Sequence, residues 1–569
     1  MNEVILIYAL AVLLAWPLGR YMAAVFSPAP TALDRVFGPV EGLIYRAIGA
    51  RPDVPMDWKH YARTLLKLHV VIGVAVMAIL TQQAWLPLNP DGIEGMSWDL
   101  ALHTTASFIT NTNQQHYSGQ AQLSYFAHLF AIVTMQVVTP AAGLAALVAI
   151  LRTLFAGREE RPRTANGDIA VGNFHVDLVR SILRLMLPLA LVTALVLAWQ
   201  GVPSTFEGAR VAQPIDASAG LAEQRIPVGP VAPMVAIKQL GTNGGGWYGP
   251  NSSVPLENPT PLSNLVETVA IVLIPIASVI MAGYLTGRRR LALSILAVML
   301  AMSAALSGLA IWSENQPNAA FAGLAAEGPN LEGKEVRFGA TATALWGSFT
   351  TQTSNGSVNG MHDSFNPMGG AATLMGMFIN ATFGGEGVGL INYLLFLLLA
   401  VFLGSLMVGR SPELYGRALE AKEIKLVSIA LLLQPLLILG LTAVAVALPG
   451  LAGNSNPGPH GLAQVLYEYT SAFANNGSGF EGLGDATVWW NVSCAVALIL
   501  GRFIPIFAPL AIAAHMAGKR VAPTTVGSLA VETPTFALLT LGVIVMFALL
   551  GFFPVLALGP FAEYLSLAR

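Results

Sequence analysis

Charge is scarce in this chain. Of its 569 residues only 11% are charged, against 54% hydrophobic, and the mean hydropathy is +0.63. A soluble protein carries about a quarter charged residues, so there is too little polar surface here to cover a large soluble core. Cysteine is nearly absent. Cys494 alone excludes an intrachain disulfide and any cysteine-rich zinc or iron–sulfur centre. A net charge of -2, with no basic patch interleaved with aromatics, excludes nucleic acid as the main partner. Nucleotide chemistry lacks its motifs as well. The glycine-rich stretches 241–246 and 384–389 have no strand-to-helix setting and do not end in Gly-Lys-Ser/Thr, as a triphosphate loop requires. No Asp-Lys-Thr-Gly-Thr phosphorylation sequence occurs, the nine histidines form no His-Glu-x-x-His arrangement, and no nucleophile–base pair stands out. Catalysis is not expected in this chain.

What the chain does have is long apolar runs. Ten spans fit it, near 3–24, 64–82, 124–150, 179–200, 263–286, 291–312, 371–407, 425–449, 488–514 and 534–557, each long enough to cross a bilayer. The first lacks a basic leader and a small-residue cleavage site, so it reads as a retained span. The seventh is too long for one straight helix. Its segment Asn380-Ala-Thr-Phe-Gly-Gly-Glu-Gly-Val-Gly389 is expected to break it, which is tolerable only where buried protein or water satisfies the freed backbone.

Four short polar segments interrupt these runs: Thr110-Asn-Thr-Asn113, Gly241-Thr-Asn-Gly244, Thr353-Ser-Asn-Gly356 and Ala474-Asn-Asn-Gly477. Asn113, Asn243, Asn355 and Asn476 are taken as equivalent, at separations of 130, 112 and 121 residues. Each segment follows a short helix-length stretch and lies between two spans, which makes a repeated unit of span, re-entrant segment and span. The expected fold is an all-α polytopic membrane protein with four pseudo-symmetric helix–pore-loop–helix repeats around one pore. The repeats fall at 61–156, 173–290, 291–417 and 424–520, with an extra N-terminal span and cytoplasmic loop in 1–60 and an extra C-terminal span in 530–569. If the four loops face outside, 23 of the 29 basic residues lie inside, as the positive-inside rule requires. Both termini then face outside.

A ring of four such loops suits a monovalent cation. Small residues let the chain return with its carbonyls turned to a common axis, and carbonyl oxygens replace the shell of a dehydrated ion without a full negative charge. The C-terminal ends of the short helices add a favourable field. Calcium or magnesium would call for several carboxylates, and the loop cores contain none; potassium is favoured. Glu468, Glu481 and Asp363 flank the loops and are read as mouth charges or partners of basic groups. His103 and His116, which bracket the first loop, are read as mouth or packing residues.

The stretches Thr110-Asn-Thr-Asn-Gln-Gln-His-Tyr-Ser118, Gly241-Thr-Asn-Gly-Gly-Gly246, Ser354-Asn-Gly-Ser-Val-Asn359, Met361-His-Asp-Ser-Phe365, Asn475-Asn-Gly-Ser478 and Gly501-Arg-Phe503 together resemble the potassium-binding subunit of the potassium-transporting ATPase, the KdpA family, over essentially the whole chain. The resemblance implies a subunit of a bacterial inner-membrane complex for high-affinity potassium uptake. ATP is then bound and hydrolysed by a separate P-type ATPase subunit, KdpB, with KdpC and KdpF as accessory subunits, membrane lipids around them, and potassium as the substrate. Carried onto this sequence, the filter positions are Asn111, Thr112 and Asn113; Thr242, Asn243 and Gly244; Ser354, Asn355 and Gly356; and Asn475, Asn476 and Gly477. Gln115 helps shape the first loop. Gln114 stands where the family usually has Trp, and Asn355 where it commonly has Cys. The break at Gly384–Gly389 becomes a gate beneath the third loop, and Arg410 and Arg502 positive charges that deflect potassium from the inner route. The alternatives are a stand-alone potassium channel or symporter of the same superfamily, and a scaffolding membrane protein.

Overall fold

The computed structural model describes residues 2–567 apart from 28, 156–161, 217–219, 322–323, 325–326 and 524–528. Arg158, Arg161 and Arg569, counted in the charge bias above, lie outside the described residues, as does the end of the first repeat at 156.

Ten helices among the described residues are long and apolar enough to cross a membrane: Asn2–Phe26, Trp58–Trp85, Ala127–Leu154, Phe174–Trp199, Pro261–Leu285, Arg289–Phe321, Val388–Met407, Ala421–Ala447, Val488–Gly518 and Pro534–Leu567. They are the ten expected spans, extended at their ends where caps rather than hydropathy set the boundary. Asp57, for instance, accepts from the Lys59 and His60 amides and starts the second span ahead of its apolar run. The buried share is 67–83% in the third, fifth, seventh and ninth spans and 28–50% in the others. The second span of every repeat therefore belongs to an inner ring, and the rest form an outer layer.

The first span adds to this ring through small residues. Ile7, Ala11, Ala15, Gly19 and Ala23 recur every four residues on its buried face, a stripe that lets two backbones approach closely without help from water. A Cβ at Gly19 would stand 2.6 Å from the Ala277 carbonyl oxygen of the fifth span. Gly19→Val is accordingly expected to destabilise the chain by about 1–3 kcal/mol, the usual cost of overpacking. A thermal unfolding scan in detergent would check it, and an unchanged midpoint would contradict this packing.

The seventh span is broken, as expected. One half runs Pro367–Ile379 and the other Val388–Met407, with 380–387 non-helical between them. Re-entrant helices precede all four polar loops: Trp98–Ile109, Val231–Leu240, Gly339–Gln352 and Gly458–Phe473.

One element was not expected. The stretch read as a plain loop after the first span holds a helix, Leu33–Ala47. Glu41 is buried and, with Asp34, is bound by the interior Arg184 of the fourth span at 2.5 and 2.8 Å, while Val36, Val40 and Leu43 are exposed. Its charges hide it from a hydropathy window, and its apolar face is a single stripe.

Candidate functional site: a ring of four loops

The four loops share one backbone pattern. Their first residues, Asn111, Thr242, Ser354 and Asn475, have φ of 66°, 44°, 52° and 53°. The third residues, Asn113, Gly244, Gly356 and Gly477, have φ of 57°, 70°, 86° and 107°, whereas the second residues are not left-handed. Asparagine and glycine adopt this region readily, but for a β-branched residue such as Thr242 it is an outlier. Such strain persists only where the surroundings over-determine it, and the Thr242 hydroxyl is held by the Glu386 amide at 3.0 Å.

This pattern corrects the alignment of asparagines. Thr112, not Asn113, is equivalent to Asn243, Asn355 and Asn476. Each of these second residues donates its amide to the carbonyl five residues earlier, at the end of its own pore helix: Thr112 to Ser107 at 3.0 Å, Asn243 to Lys238 at 3.1 Å, Asn355 to Thr350 at 3.0 Å and Asn476 to Ser471 at 2.9 Å. The third residues of loops one and two donate to the same acceptors, Asn113 to Ser107 and Gly244 to Lys238. A trans peptide sets its carbonyl opposite its amide. With the amides directed back at the pore helices, the Thr112 and Asn243 carbonyls face the other way.

The loops close on one another in chain order. A Cβ at Gly244 would lie 2.0 Å from the Asn355 carbonyl oxygen, one at Gly356 2.1 Å from that of Asn476, and one at Gly477 2.3 Å from that of Thr112. Between loops one and two, the Asn111 side chain donates to the Gly241 and Thr242 carbonyls, each at 3.2 Å, and accepts from Asn243 at 2.9 Å. Gln115, expected to shape the first loop, bonds both the amide and the carbonyl of Gly246, at 2.8 and 3.1 Å.

Side chains of the third and fourth loops bond the preceding pore helices, whereas Asn113 Nδ2 and Asn243 Oδ1 have no partner among the described residues. Asn355 Nδ2 donates to the Lys238 carbonyl at 3.0 Å and Asn476 Nδ2 to that of Thr350 at 2.7 Å. Gln114 donates to the Glu468 carboxylate and faces His103 at 3.3 Å. Both departures from the family spelling, Gln114 and Asn355, are thus bonded in place.

Several charges near the ring are buried in specific pairings. Glu468 is 1% exposed and held by Gln114 and His116, so of its two expected roles it takes that of partner to a basic group. The His116 ring lies outside the spans. Burial disfavours its charge, but Asp485 and Glu468 hold its pKa up at about 9, and it is an imidazolium at neutral pH. Ligand atoms of His116, Glu468 and Cys494 lie within 4.8 Å of one another, although the first two already satisfy each other. Lys238 and Lys334, counted among the few basic residues on the loop side, are fully buried in ion pairs with Glu257 and Glu314. A burial of that kind demands a partner, and neither pair was legible.

The broken span is bound to the underside of the ring. The Gly384 amide donates to Gln352 at 2.9 Å, the Glu386 amide to Thr242, and the Ser354 hydroxyl to Asn380 at 3.0 Å. The break is therefore part of the filter's support rather than a packing kink. Arg410 is exposed, away from this region. Arg502 is 2% exposed and donates to the Thr139 carbonyl at 3.1 Å. Its guanidinium and the Glu386 backbone meet at Gly143, whose Cβ would stand 2.9 Å and 2.5 Å from them.

A family model described as "Potassium-transporting ATPase A subunit" matches residues 5–565. The potassium-transporting ATPase potassium-binding subunit of Gloeobacter violaceus is 46% identical over 96% of this chain and 95% of its own length. That of Pseudomonas aeruginosa is 45% identical over 100% and 99%. The potassium transporter TrkH of Vibrio parahaemolyticus has a related fold, with a TM-score of 0.52 at 14% identity over 89% of this chain and 98% of that one. With the match running nearly end to end in sequence, this multi-pass membrane protein belongs to the potassium-transporting ATPase A subunit family.

Proposed function

We propose that this chain is the potassium-binding and translocating subunit of an ATP-driven, high-affinity potassium uptake complex in a bacterial inner membrane. The observation that carries the reading is the ring of four loops with one backbone handedness, in a chain of this family. The carbonyls of the twelve filter residues, Asn111 to Asn113, Thr242 to Gly244, Ser354 to Gly356 and Asn475 to Gly477, take over the coordination of a dehydrated potassium ion. Four repeats, at 61–156, 173–290, 291–417 and 424–520, supply one loop each. The loops and both termini face the periplasm, with 23 of the 29 basic residues inside.

Energy comes from elsewhere. Each tenfold potassium gradient opposes uptake by about 1.4 kcal/mol per ion, and an inside-negative potential helps by about 2.3 kcal/mol per 100 mV. Beyond that electrical help a filter alone cannot concentrate the ion. A P-type ATPase subunit, KdpB, hydrolyses ATP; KdpC and KdpF complete the assembly; and the segment 380–387 limits leakage beneath the ring.

Potassium-dependent ATP hydrolysis by the co-expressed complex tests this reading. Hydrolysis is expected to saturate with potassium and to respond far less to sodium. An assembled complex indifferent to potassium, or potassium flux through the isolated chain without ATP, would put a channel or symporter in its place.

A further inference from the structure

One relation recurs behind the ring that ion coordination by the backbone does not use. Nine residues before each second filter position stand His103, Met234, Trp346 and Tyr467 on the pore helices; two residues after it stand Gln114, Gly245, Ser357 and Ser478. In three repeats these positions are hydrogen bonded to each other. His103 Nε2 lies 3.3 Å from Gln114 Oε1, Trp346 Nε1 donates to Ser357 Oγ at 3.2 Å and to its carbonyl at 2.9 Å, and Tyr467 and Ser478 share a hydroxyl bond of 2.8 Å. All six residues are buried.

In the third and fourth repeats the bond is the first step of a relay. Ser478 Oγ donates to Asn476 Oδ1 at 2.6 Å, and Ser357 Oγ bonds Asn355 Oδ1 likewise. A carbonyl oxygen only accepts, so Ser478 spends its proton on its asparagine and its Oγ accepts from Tyr467. Ser357 Oγ has a second acceptor in Gln239 Oε1 at 2.8 Å, and with either acceptor its Oγ accepts from Trp346, whose ring nitrogen only donates. The Ser478 and Ser357 amides also donate to these asparagines, at 3.0 and 2.9 Å. With the oxygen end fixed, each asparagine's Nδ2 is directed at the preceding pore helix, Asn476 to Thr350 and Asn355 to Lys238. Aromatic ring, serine, filter asparagine and neighbouring pore helix thus form one strut in each of two successive repeats.

The second repeat has no such strut. Met234 and Gly245 offer no side-chain donor or acceptor for one, and loop two is braced instead by Asn251, which donates to the Gly244 carbonyl at 3.1 Å, and by Gln136 from the third span, which donates to the Gly245 carbonyl at 3.2 Å.

We propose that Trp346–Ser357–Asn355 and Tyr467–Ser478–Asn476 are specificity-determining struts that hold the filter open at potassium size, and that their outer members are positioning residues for ion selection. This rests on the filter reading given above. A smaller ion draws carbonyls inward, and a strut anchored in the pore helices resists that collapse from behind. Whether selectivity comes from cavity size or from the field of the carbonyls, both depend on where the carbonyls are held.

The test uses the assembled complex and reads potassium-stimulated ATP hydrolysis, with sodium as competitor ion. Tyr467→Phe and Ser478→Ala keep shape; both remove the bond between these two residues, and each removes one more, that of Tyr467 to His362 at 3.0 Å and that of Ser478 to Asn476. Each is expected to raise the half-saturating potassium concentration about fivefold and to reduce the potassium-over-sodium preference by a similar factor, the worth of one buried hydrogen bond. The maximal rate should stay within about twofold, and the double variant should fall short of the sum of the two single effects, because the bond they share is lost only once. Ser478→Thr, which keeps the hydroxyl, should restore the preference. Met234→Leu, at the position without a strut, should change nothing. An unchanged preference with only a lower maximal rate would overturn the proposal, as would a Met234→Leu effect of equal size. Gly244→Ala separates the two readings. If it shifts potassium dependence while Tyr467→Phe does not, the struts fail and the filter stands; if neither shifts it, both fail.

Discussion

A single methyl group at Gly244 is expected to raise the potassium concentration for half-maximal transport about a hundredfold. Gly244 has φ +70°, and an added Cβ would stand 2.0 Å from the Asn355 carbonyl oxygen and 2.3 Å from the Ser357 amide nitrogen. No real contact is that short, and both neighbours are backbone, so the methyl cannot be absorbed by a rotamer change. Loop three has to move away from loop two, and the carbonyl displaced first belongs to Asn355, a filter residue. A hundredfold loss corresponds to about 2.8 kcal/mol at 1.4 kcal/mol per tenfold, no more than the ordinary range for overpacking a close contact. Gly440→Ala is the matched control. It lies within the eighth span with nothing within 4 Å of the added atom, and is expected to leave transport unchanged while stabilising the helix by about 0.5–1 kcal/mol. Potassium-stimulated hydrolysis by the two assembled variants, each checked for assembly, decides the matter. Equal potassium dependence in both would mean that the loop contacts do not set ion affinity.

The four loops were legible because their chemistry is local. Loops spelled Thr-Asn-Gly, Ser-Asn-Gly and Asn-Asn-Gly announce positions that tolerate left-handed backbone, and the sequence places them between apolar runs of the right length. The one misreading came from the exception. Loop one spells Thr110-Asn-Thr-Asn113, with asparagine in the two left-handed positions and threonine between them, so matching letter to letter slips the alignment by one residue. Only the φ pattern and the amide bonds five residues back restore it.

What was not legible is made by packing. Lys238 reads as one more basic residue on the loop side until Glu257 is seen against it. Trp346 and Tyr467 stand out only once their polar atoms are found on Ser357 and Ser478. In each case a pore helix turns a side chain toward a loop that follows it, and the spacing carries no signal unless the four repeats are first aligned correctly. The helix Leu33–Ala47 was missed for another reason, since its Asp34, Arg35, Glu41 and Arg46 give it the composition of a loop.

The pair beneath the ring leads to the second large effect. Glu386 is 0% exposed, neither carboxylate oxygen has a hydrogen-bond partner among the described residues, and the charge that acts on it is that of Arg502. Arg502→Met takes away the charge acting on this unbonded carboxyl and the donor to the Thr139 carbonyl, and leaving buried polar groups uncompensated costs about 1–3 kcal/mol. The thermal midpoint of the reconstituted complex should fall clearly. Adding Glu386→Gln replaces the carboxyl that Arg502 acts on with a neutral amide and should recover part of the loss, short of about 1 kcal/mol for the forfeited bond to the Thr139 carbonyl. Unfolding scans of the wild type, both single variants and the double variant measure this as a coupling energy. A double variant as unstable as Arg502→Met would show that the guanidinium acts through packing alone. Transport is expected to part from stability. Glu386 sits in the segment bonded to Thr242 at the underside of the ring, and its backbone meets the Arg502 guanidinium at Gly143. The double variant should therefore fold nearly as well as the wild type and still fail to couple ATP hydrolysis to potassium uptake. Normal coupling in that variant would mean that the broken span supports the filter without controlling the ion's exit.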